Sequence, residues 1–339
     1  MMTLTRSLFA IAALALIPGL QADELKTEDV NAEARGFWHW DFTALRQSAV
    51  GKEFTAQIDL DRASINLQCP IRMVTGIDLR KDLQGSTVVV MGPRDGYAVL
   101  NGTYNQEAIV QAINSKLGAA AAGQAGDVAS WVWTIKGEKA GEAKADAKPD
   151  ACPMHARGHW GGCQGGELHL AFVKGKLVAS FNAASLTKGV ETLSGKLAAI
   201  TADSTLVSSV RKDLGSTFLS GAFGPAPEEF HKFHPLIAKY AGGSFAVGEK
   251  DGNFVASGNA NLTDETTSQQ VLTMANGFLA MGQMQAAQIP ECAEMLKGIK
   301  LSADGKLVSG EFTVSTADLI AKMKAGFAKR REQMAAKAP

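Results

Sequence analysis

Two aspartates, Asp82 and Asp213, lie in nearly identical segments, and paired carboxylates are the reactive groups of two-lobed acid proteases. The first segment reads Arg-Lys-Asp-Leu-Gln-Gly-Ser-Thr, and the second reads Arg-Lys-Asp-Leu-Gly-Ser-Thr. In such enzymes one aspartate from each lobe shares a proton with the other. Those enzymes carry Asp-Thr/Ser-Gly, which neither segment has, so an aspartate that fixes a turn is the alternative interpretation.

A second group of chemically capable residues lies in segment 152–163, where Cys152, His155, His159 and Cys163 alternate with glycines. Two thiolates and two imidazoles suit tetrahedral zinc. Pro153 and the glycines oppose the local helix that would align the histidines, and an exported chain meets oxidising conditions. We therefore predict a disulfide between Cys152 and Cys163, with zinc as the weaker alternative and no other cofactor.

A disulfide-closed loop would display polar and aromatic side chains on a tethered surface, which is where binding residues concentrate. This loop is the predicted contact site, formed by His155, Arg157, His159 and Trp160. The two remaining cysteines, Cys69 and Cys292, would form a second disulfide.

Ser185 and Lys188 have the spacing of a Ser–Lys nucleophile pair. Ser315 lies 130 residues later (315 − 185) and begins Ser-Thr-Ala-Asp, which has the form of a capping box. We therefore predict that both serines cap helices and that neither is a nucleophile.

The segment Gly-Lys-Leu-Val occurs at 175–178 and again at 305–308, an offset of 130 residues (305 − 175). The two aspartate segments are offset by 131 residues (213 − 82). Self-similarity at a fixed period indicates a duplicated unit. Each unit supplies about two hairpins and two helices, so we predict an α+β fold made of two tandem repeats of antiparallel sheet, with helices packed on one face.

Four regions follow from this pattern and from composition. Residues 136–150 mix charges without large apolar side chains, which predicts a mobile insertion. The predicted regions are a signal peptide at 1–22, an N-terminal strand and helix leader at 23–75, a first repeat at 76–200 with its mobile insertion at 136–166, and a second repeat at 201–339 ending in a helix.

The second repeat contains a long apolar helix and a shorter inserted helix. The inserted helix is predicted over residues 227–240. The long helix begins after Thr263 or Asp264, either of which can cap it. Its apolar residues follow helical spacing and are interpreted as a packed face. They are Val271, Met274, Ala275, Phe278 and Met281.

Charge and the amino-terminal residues limit the possible location and partners. Lysines plus arginines equal aspartates plus glutamates at 34 each, so nucleic-acid binding is not expected. Arg6, an apolar run and a small-residue site at Ala22 have the form of a signal peptide. After its removal no stretch approaches ~20 apolar residues. We therefore expect a soluble, exported protein without a transmembrane segment, either periplasmic or secreted.

The stretch Leu-Val-Ala-Ser-Phe at 177–181, followed by a short helix ending in Gly195-Lys196, resembles the uncharacterised exported α+β repeat proteins of bacterial envelopes. The resemblance covers most of residues 70–325. It implies export and a repeated sheet–helix fold, and it brings no catalytic residues with it.

Two functions are consistent with these features. The favoured one is an exported binding or structural protein without catalysis, whose partner is an extracellular or envelope protein or a glycan. The alternative is a secreted hydrolase, a protease acting on extracellular proteins or mucin-like glycoproteins through the paired aspartates or a metal. The oligomeric state stays open.

Overall fold

The computed structural model describes residues 24–60, 77–78, 81–93, 95–135, 166–211, 213–232, 234–286 and 290–335. Within these residues twelve strands form one sheet, in the order β11-β12-β10-β9-β8-β1-β2-β3-β7-β6-β5-β4. Every neighbouring pair of strands is antiparallel. Helices pack against this sheet, so the predicted α+β class is confirmed.

The strands range from five to eleven residues. They are β1 (Gly36–Asp41), β2 (Leu83–Gly92), β3 (Asp95–Gly102), β4 (Ala121–Ala125), β5 (Val128–Ile135), β6 (Gly166–Val173), β7 (Lys176–Ser180), β8 (Ser216–Phe223), β9 (Tyr240–Lys250), β10 (Asn253–Leu262), β11 (Ile299–Asp304) and β12 (Leu307–Ser315).

Polar side chains begin several of the helices by accepting a backbone N–H of the first turn, as Asp41, Asn105 and Asn182 do. The α-helices of the described residues are α1 (Phe42–Gln47), α2 (Ala49–Leu60), α3 (Gln106–Leu117), α4 (Ala183–Ser194), α5 (Thr205–Ser209), α6 (Glu228–His231), α7 (Glu265–Ala286), α8 (Pro290–Lys297) and α9 (Thr316–Ala335). Short 3-10 turns lie at Thr27–Asp29 and Ile237–Lys239.

The first half of the sheet buries apolar side chains on both faces. Leu177 and Val178 are neighbours in β7, so their side chains point to opposite faces. Leu177 belongs to a core cluster with Ile109 and Ile113 of α3, and Val178 belongs to one with Leu186 of α4. This refines the predicted arrangement, because α3 and α4 cover opposite faces. We call these the α3 face and the α4 face.

The N-terminal segment closes over the α4 face. The hydroxyl of Tyr97 donates to the carbonyl of Asp29 at 3.0 Å and accepts from the amide of Asn31 at 2.9 Å. The buried Asp29 carboxylate pairs with Lys176, and burial raises its pKa. Burial also raises the pKa of Tyr97 to about 12. These contacts attach the start of the described chain to β3 and β7.

The two halves of the sheet have the same strand order on either side of the β1–β8 junction. Outward from the junction the first half reads β1-β2-β3-β7-β6, and the second reads β8-β9-β10-β12-β11. Because β1 and β8 are antiparallel, a half-turn about an axis normal to the sheet relates the two orders. β1, which the sequence placed in a leader, is therefore one of the two central strands.

Residue equivalences follow from the strand pairings, starting at the third pair from each outer hairpin turn. Ala171 pairs with Val178 in the first half, and Ser302 pairs with Ser309 in the second. Continuing inward gives two matching rows across the α4 face. These are Ala171–Val178–Val99–Thr87–His39 and Ser302–Ser309–Asn259–Ser244–Ala222. At the junction His39 pairs with Ser220 and Phe37 with Ala222, as this symmetry requires.

The repeated sequence segments do not follow these equivalences. The turn residues are Lys174-Gly175 in the first half and Gly305-Lys306 in the second, so Leu177 corresponds to Val308, a shift of one residue from the sequence match. The aspartate segments precede β2 and β8, whereas the counterpart of β8 is β1. The prediction that these segments are equivalent positions is therefore wrong.

The predicted serine caps are half correct. Ser315 accepts from the amide of Asp318 at 3.4 Å and precedes α9. Ser185 is buried inside α4, and its own amide donates to Asn182, which caps that helix. Asn182 lies three residues earlier, where the strand ends, and its short amide side chain reaches the free amide. The predicted helix over 227–240 is also replaced by the short α6 and a 3-10 turn.

Candidate functional site

Asp82 and Asp213 lie at the starts of two strands that flank β1, and both strands are antiparallel to β1. The two strands are therefore parallel to each other and about 10 Å apart, twice the spacing of neighbouring strands. Two carboxylates that share a proton must lie within hydrogen-bond distance of each other. The positions of these strands do not favour such a pair.

Each aspartate has a local partner instead. Asp82 accepts from the amide of Asp78 at 2.8 Å, which fixes the turn before β2. The guanidinium of Arg211 donates to Asp213 at 3.1 Å, and Lys250 lies 3.6 Å away. The hydrogen bond from Arg211, followed by the charges of Arg211 and Lys250, lowers the pKa of Asp213 to about 2. A proton-sharing pair needs one raised pKa, so this environment suits a structural ion pair.

The predicted contact loop lies outside the described residues. This applies to His155, Arg157, His159 and Trp160, and equally to the predicted disulfide and metal ligands Cys152 and Cys163. Cys69 also lies outside them, and at Cys292 the description of α8 is confined to the backbone. In the part of the chain that the structure describes, no group of three or more His, Cys, Asp or Glu side chains is placed to hold a metal ion.

Helix α7 carries most of the large apolar side chains that are exposed in the described residues. They are Met274, Phe278, Met281 and Met284, which are 46%, 64%, 51% and 76% exposed. Their spacings of four, three and three residues place them on one side of the helix. We call these four side chains the α7 stripe.

The other side of α7 holds the helix on the sheet through small side chains. Asp264 caps the helix by accepting from the amide of Thr267 at 2.8 Å. The hydroxyl of Ser268 donates to the carbonyl of Gly305 in the β11–β12 turn at 2.5 Å. Thr267, Ser268 and Ala286 are buried. The stripe is therefore turned away from the core by these contacts.

This orientation corrects the sequence interpretation of the helix. Met274, Phe278 and Met281 were predicted to form a packed face together with Val271 and are instead exposed. A visible signal existed in the sequence, because residues 266–286 contain no charged side chain. A helix that is apolar around most of its circumference cannot bury every face against one sheet.

An open groove runs along the first half of α7. It has a volume of about 860 Å³ and is bordered by Leu236 on one side and Met274 on the other. Between them lie uncharged polar side chains, among them Thr266, Gln270 and Thr273. Leu236 belongs to the 227–240 insertion. The groove is therefore continuous with the α7 stripe through Met274.

Among the described residues, no helix is long and apolar enough to cross a membrane. Although α7 has 22 residues, its threonines, glutamines and asparagine keep it too polar for that.

Comparisons with known proteins give only a distant structural similarity. No protein-family model matches the chain, and no curated protein matches it. Crystal forms I and III of a protein named TP0453 match with TM-scores of 0.43 and 0.42, at 8% and 7% sequence identity. These matches cover 89% and 90% of this chain and 98% and 100% of the other. Similarity at this level carries no functional argument.

Proposed function

We propose that this chain is an exported, non-catalytic binding protein that docks an amphipathic helix of a partner protein on α7. The observation that supports the proposal is the α7 stripe, four large apolar side chains exposed along one side of one helix. Apolar patches of this kind mark interaction surfaces. Covering the exposed part of each side chain would contribute about 1 kcal/mol, roughly half the value for full burial.

The shape of the surface favours a helical segment as its occupant. An amphipathic helix binds by laying its apolar face along a groove, with anchors one turn apart. The α7 stripe has that spacing, and the adjoining groove supplies room beside it. Three of the four stripe residues are methionines, whose flexible side chains adapt to varied partners.

The charge of α7 disfavours a membrane surface as the occupant. Helices that lie on membranes carry Lys and Arg on their polar face, where they contact anionic lipids. No charged residue occurs in α7 after Glu265. An uncharged surface of Thr and Gln beside an apolar stripe suits a protein segment better.

Export rests on the amino-terminal sequence, since residues 1–22 lie outside the described ones. In an oxidising compartment the exposed methionines would contact extracellular or envelope proteins, the partners expected from the sequence.

The experiment uses a fluorescein-labelled helical peptide with leucines on one face and balanced Glu and Lys on the other. A peptide of the same composition in scrambled order is the control. Fluorescence anisotropy measures binding to the wild type, to Phe278→Gln and to Met281→Gln. Phe181→Gln is the matched control variant, because Phe181 is 72% exposed and lies outside α7.

We expect the amphipathic peptide alone to bind, and each α7 substitution to weaken binding about tenfold, the equivalent of ~1.4 kcal/mol. Phe181→Gln should bind as the wild type does. Equal binding of the scrambled peptide, or no effect of the α7 substitutions, would contradict the proposal. Two other outcomes would replace the occupant. One is flotation with neutral or anionic vesicles that Phe278→Gln abolishes, and the other is self-association lost in the same variant.

A further inference from the structure

The second half of the sheet carries polar side chains at positions where the first half buries apolar ones. Val178 corresponds to Ser309, Val99 to Asn259 and Ala171 to Ser302, by the row equivalences of the α4 face. Two residues further along β3, Tyr97 corresponds in the same way to Ser257 of β10. All four first-half residues are at most 2% exposed, beneath α4 and its neighbours.

No helix of the described residues covers this part of the α4 face in the second half. The counterpart of α4 is α9, and α9 packs instead against α2, where the rings of Phe54 and Phe327 are 6.4 Å apart. Ser257, Asn259 and Ser309 are half-buried and Ser302 is exposed. The result is an open groove of about 410 Å³ on a sheet surface lined by hydroxyl groups. We call it the serine groove.

The charges at the rim of the serine groove largely cancel. Arg211 lies over the sheet and pairs with both Glu311 and Asp213, and its hydrogen bond lowers the pKa of Glu311. Lys300 borders the groove from the edge strand, and Lys250 lies 3.6 Å from Asp213. A phosphate or other anion would need donors that are not already engaged, and the guanidinium here is shared between two carboxylates.

The floor of the groove is fixed by its own hydrogen bonds. The amide group of Asn259 donates to the hydroxyl of Ser244 at 2.9 Å and accepts from the backbone amide of Ser244 at 3.0 Å. The Ser244 hydroxyl in turn donates to the carbonyl of Ser209 at 2.5 Å. These contacts hold the segment before Arg211 against β9. The hydroxyls of Ser257, Ser302 and Ser309 lie on either side of this fixed centre.

We propose that the serine groove binds a neutral oligosaccharide. A hydroxyl both donates and accepts, so an array of serines matches a ligand whose own groups do the same. The row Ser302–Ser309–Asn259–Ser244 crosses four adjacent strands, which gives a linear array of about 14 Å at three interstrand spacings. Glu311 and Arg211 at the rim add an acceptor and donors for further sugar hydroxyls. This site is separate from the α7 stripe.

The test uses saturation-transfer NMR with three probes, which are maltohexaose, cellohexaose and chitohexaose. The wild type is compared with Ser309→Val, which restores the first-half residue, and with the double variant Ser257→Ala/Ser302→Ala. The control is Ser115→Ala/Ser208→Ala, because both of these serines are exposed on helices outside the groove. Thermal unfolding of each variant verifies that it is folded.

We expect at least one oligosaccharide to bind the wild type and the control equally, and both groove variants to bind about tenfold more weakly, since each loses hydrogen bonds of ~1 kcal/mol. Absence of binding by all three probes at millimolar concentration overturns the proposal. Unchanged binding in both folded groove variants overturns the location. A site that prefers inorganic phosphate or an extended peptide over all three sugars also overturns it.

Discussion

The carboxylate of Glu249 accepts a 2.7 Å hydrogen bond from the backbone amide of Val50, although 199 residues separate them in the chain. It also accepts from the amide of Ala49 at 2.9 Å, so one side chain of β9 satisfies the first two amides of α2. This contact joins the helix that follows β1 to the second half of the sheet.

Replacing this carboxylate should weaken α2. We expect Glu249→Ala to lower the free energy of unfolding by about 1–2 kcal/mol, the usual cost of losing a helix cap. Glu249→Gln should lose less, because its amide oxygen still accepts one hydrogen bond. Urea unfolding of both variants measures this. Equal stability of Glu249→Ala and the wild type would show that the contact contributes nothing.

Two helical glycines should respond in opposite directions to substitution by alanine. A Cβ at Gly277 of α7 would meet nothing within 4 Å, so Gly277→Ala should stabilise the protein by about 0.5–1 kcal/mol. A Cβ at Gly189 of α4 would lie 2.8 Å from the ring of the buried Tyr97. Gly189→Ala should destabilise it by about 1–3 kcal/mol, as overpacking does. Thermal unfolding of both variants checks the contrast, and shifts of the same sign would contradict it.

The Tyr97 hydroxyl should contribute measurably to stability. Tyr97→Phe leaves the amide of Asn31 and the carbonyl of Asp29 without this partner in a buried site, which we expect to cost about 1–3 kcal/mol. Tyr104→Phe is the control, because Tyr104 is only half-buried and its hydroxyl donates to the carbonyl of Leu100. Chemical unfolding should rank Tyr97→Phe below Tyr104→Phe. The reverse ranking would show that the N-terminal segment is held by other contacts.

The cap of α7 should make stability depend on acidic pH. Hydrogen bonds from the amide and hydroxyl of Thr267, with the nearby Lys239, hold the pKa of Asp264 well below its usual value of 3.8. The folded state therefore binds the proton less tightly than the unfolded state. The stabilisation is complete above about pH 4 to 5 and is lost as the pH falls through the folded pKa.

Comparison of the wild type with Asp264→Ala isolates this effect. The melting temperature of the wild type should exceed that of the variant at pH 7, and the difference should shrink steadily below pH ~4. A difference that stays constant down to strongly acidic pH would show that the carboxylate charge does not contribute.

The sequence predicted the fold class because hairpin turns and amphipathic helices are local features. It did not predict β4 (Ala121–Ala125), since alanine and glycine have low strand propensity and pairing with β5 determines that strand. Nor could it place β1 at the centre of the sheet, because that position depends on pairings with β2 and β8, and β8 lies far along the chain. Such pairings are tertiary and leave no local pattern.

The candidate sites were harder to predict than the fold. A period of helical spacing shows that Met274 and Phe278 share a side of α7, but not whether that side meets the sheet or solvent. Likewise, the serines at 257, 302 and 309 are far apart in sequence and form a surface only through strand register. The sequence contact loop at 152–163 lies outside the described residues and stays a prediction.

The central position of β1 has a consequence for a growing chain. β1 ends at Asp41 and its partner β8 begins at Ser216, so 175 residues (216 − 41) are synthesised before that edge of β1 can be paired. A fragment that stops at Ser194 would keep the edge bare. Because β8 is the symmetry counterpart of β1 and pairs with it antiparallel, the β1 strand of a second fragment can take its place. Truncated chains should therefore pair with one another through the strand that the complete chain uses to join its own halves.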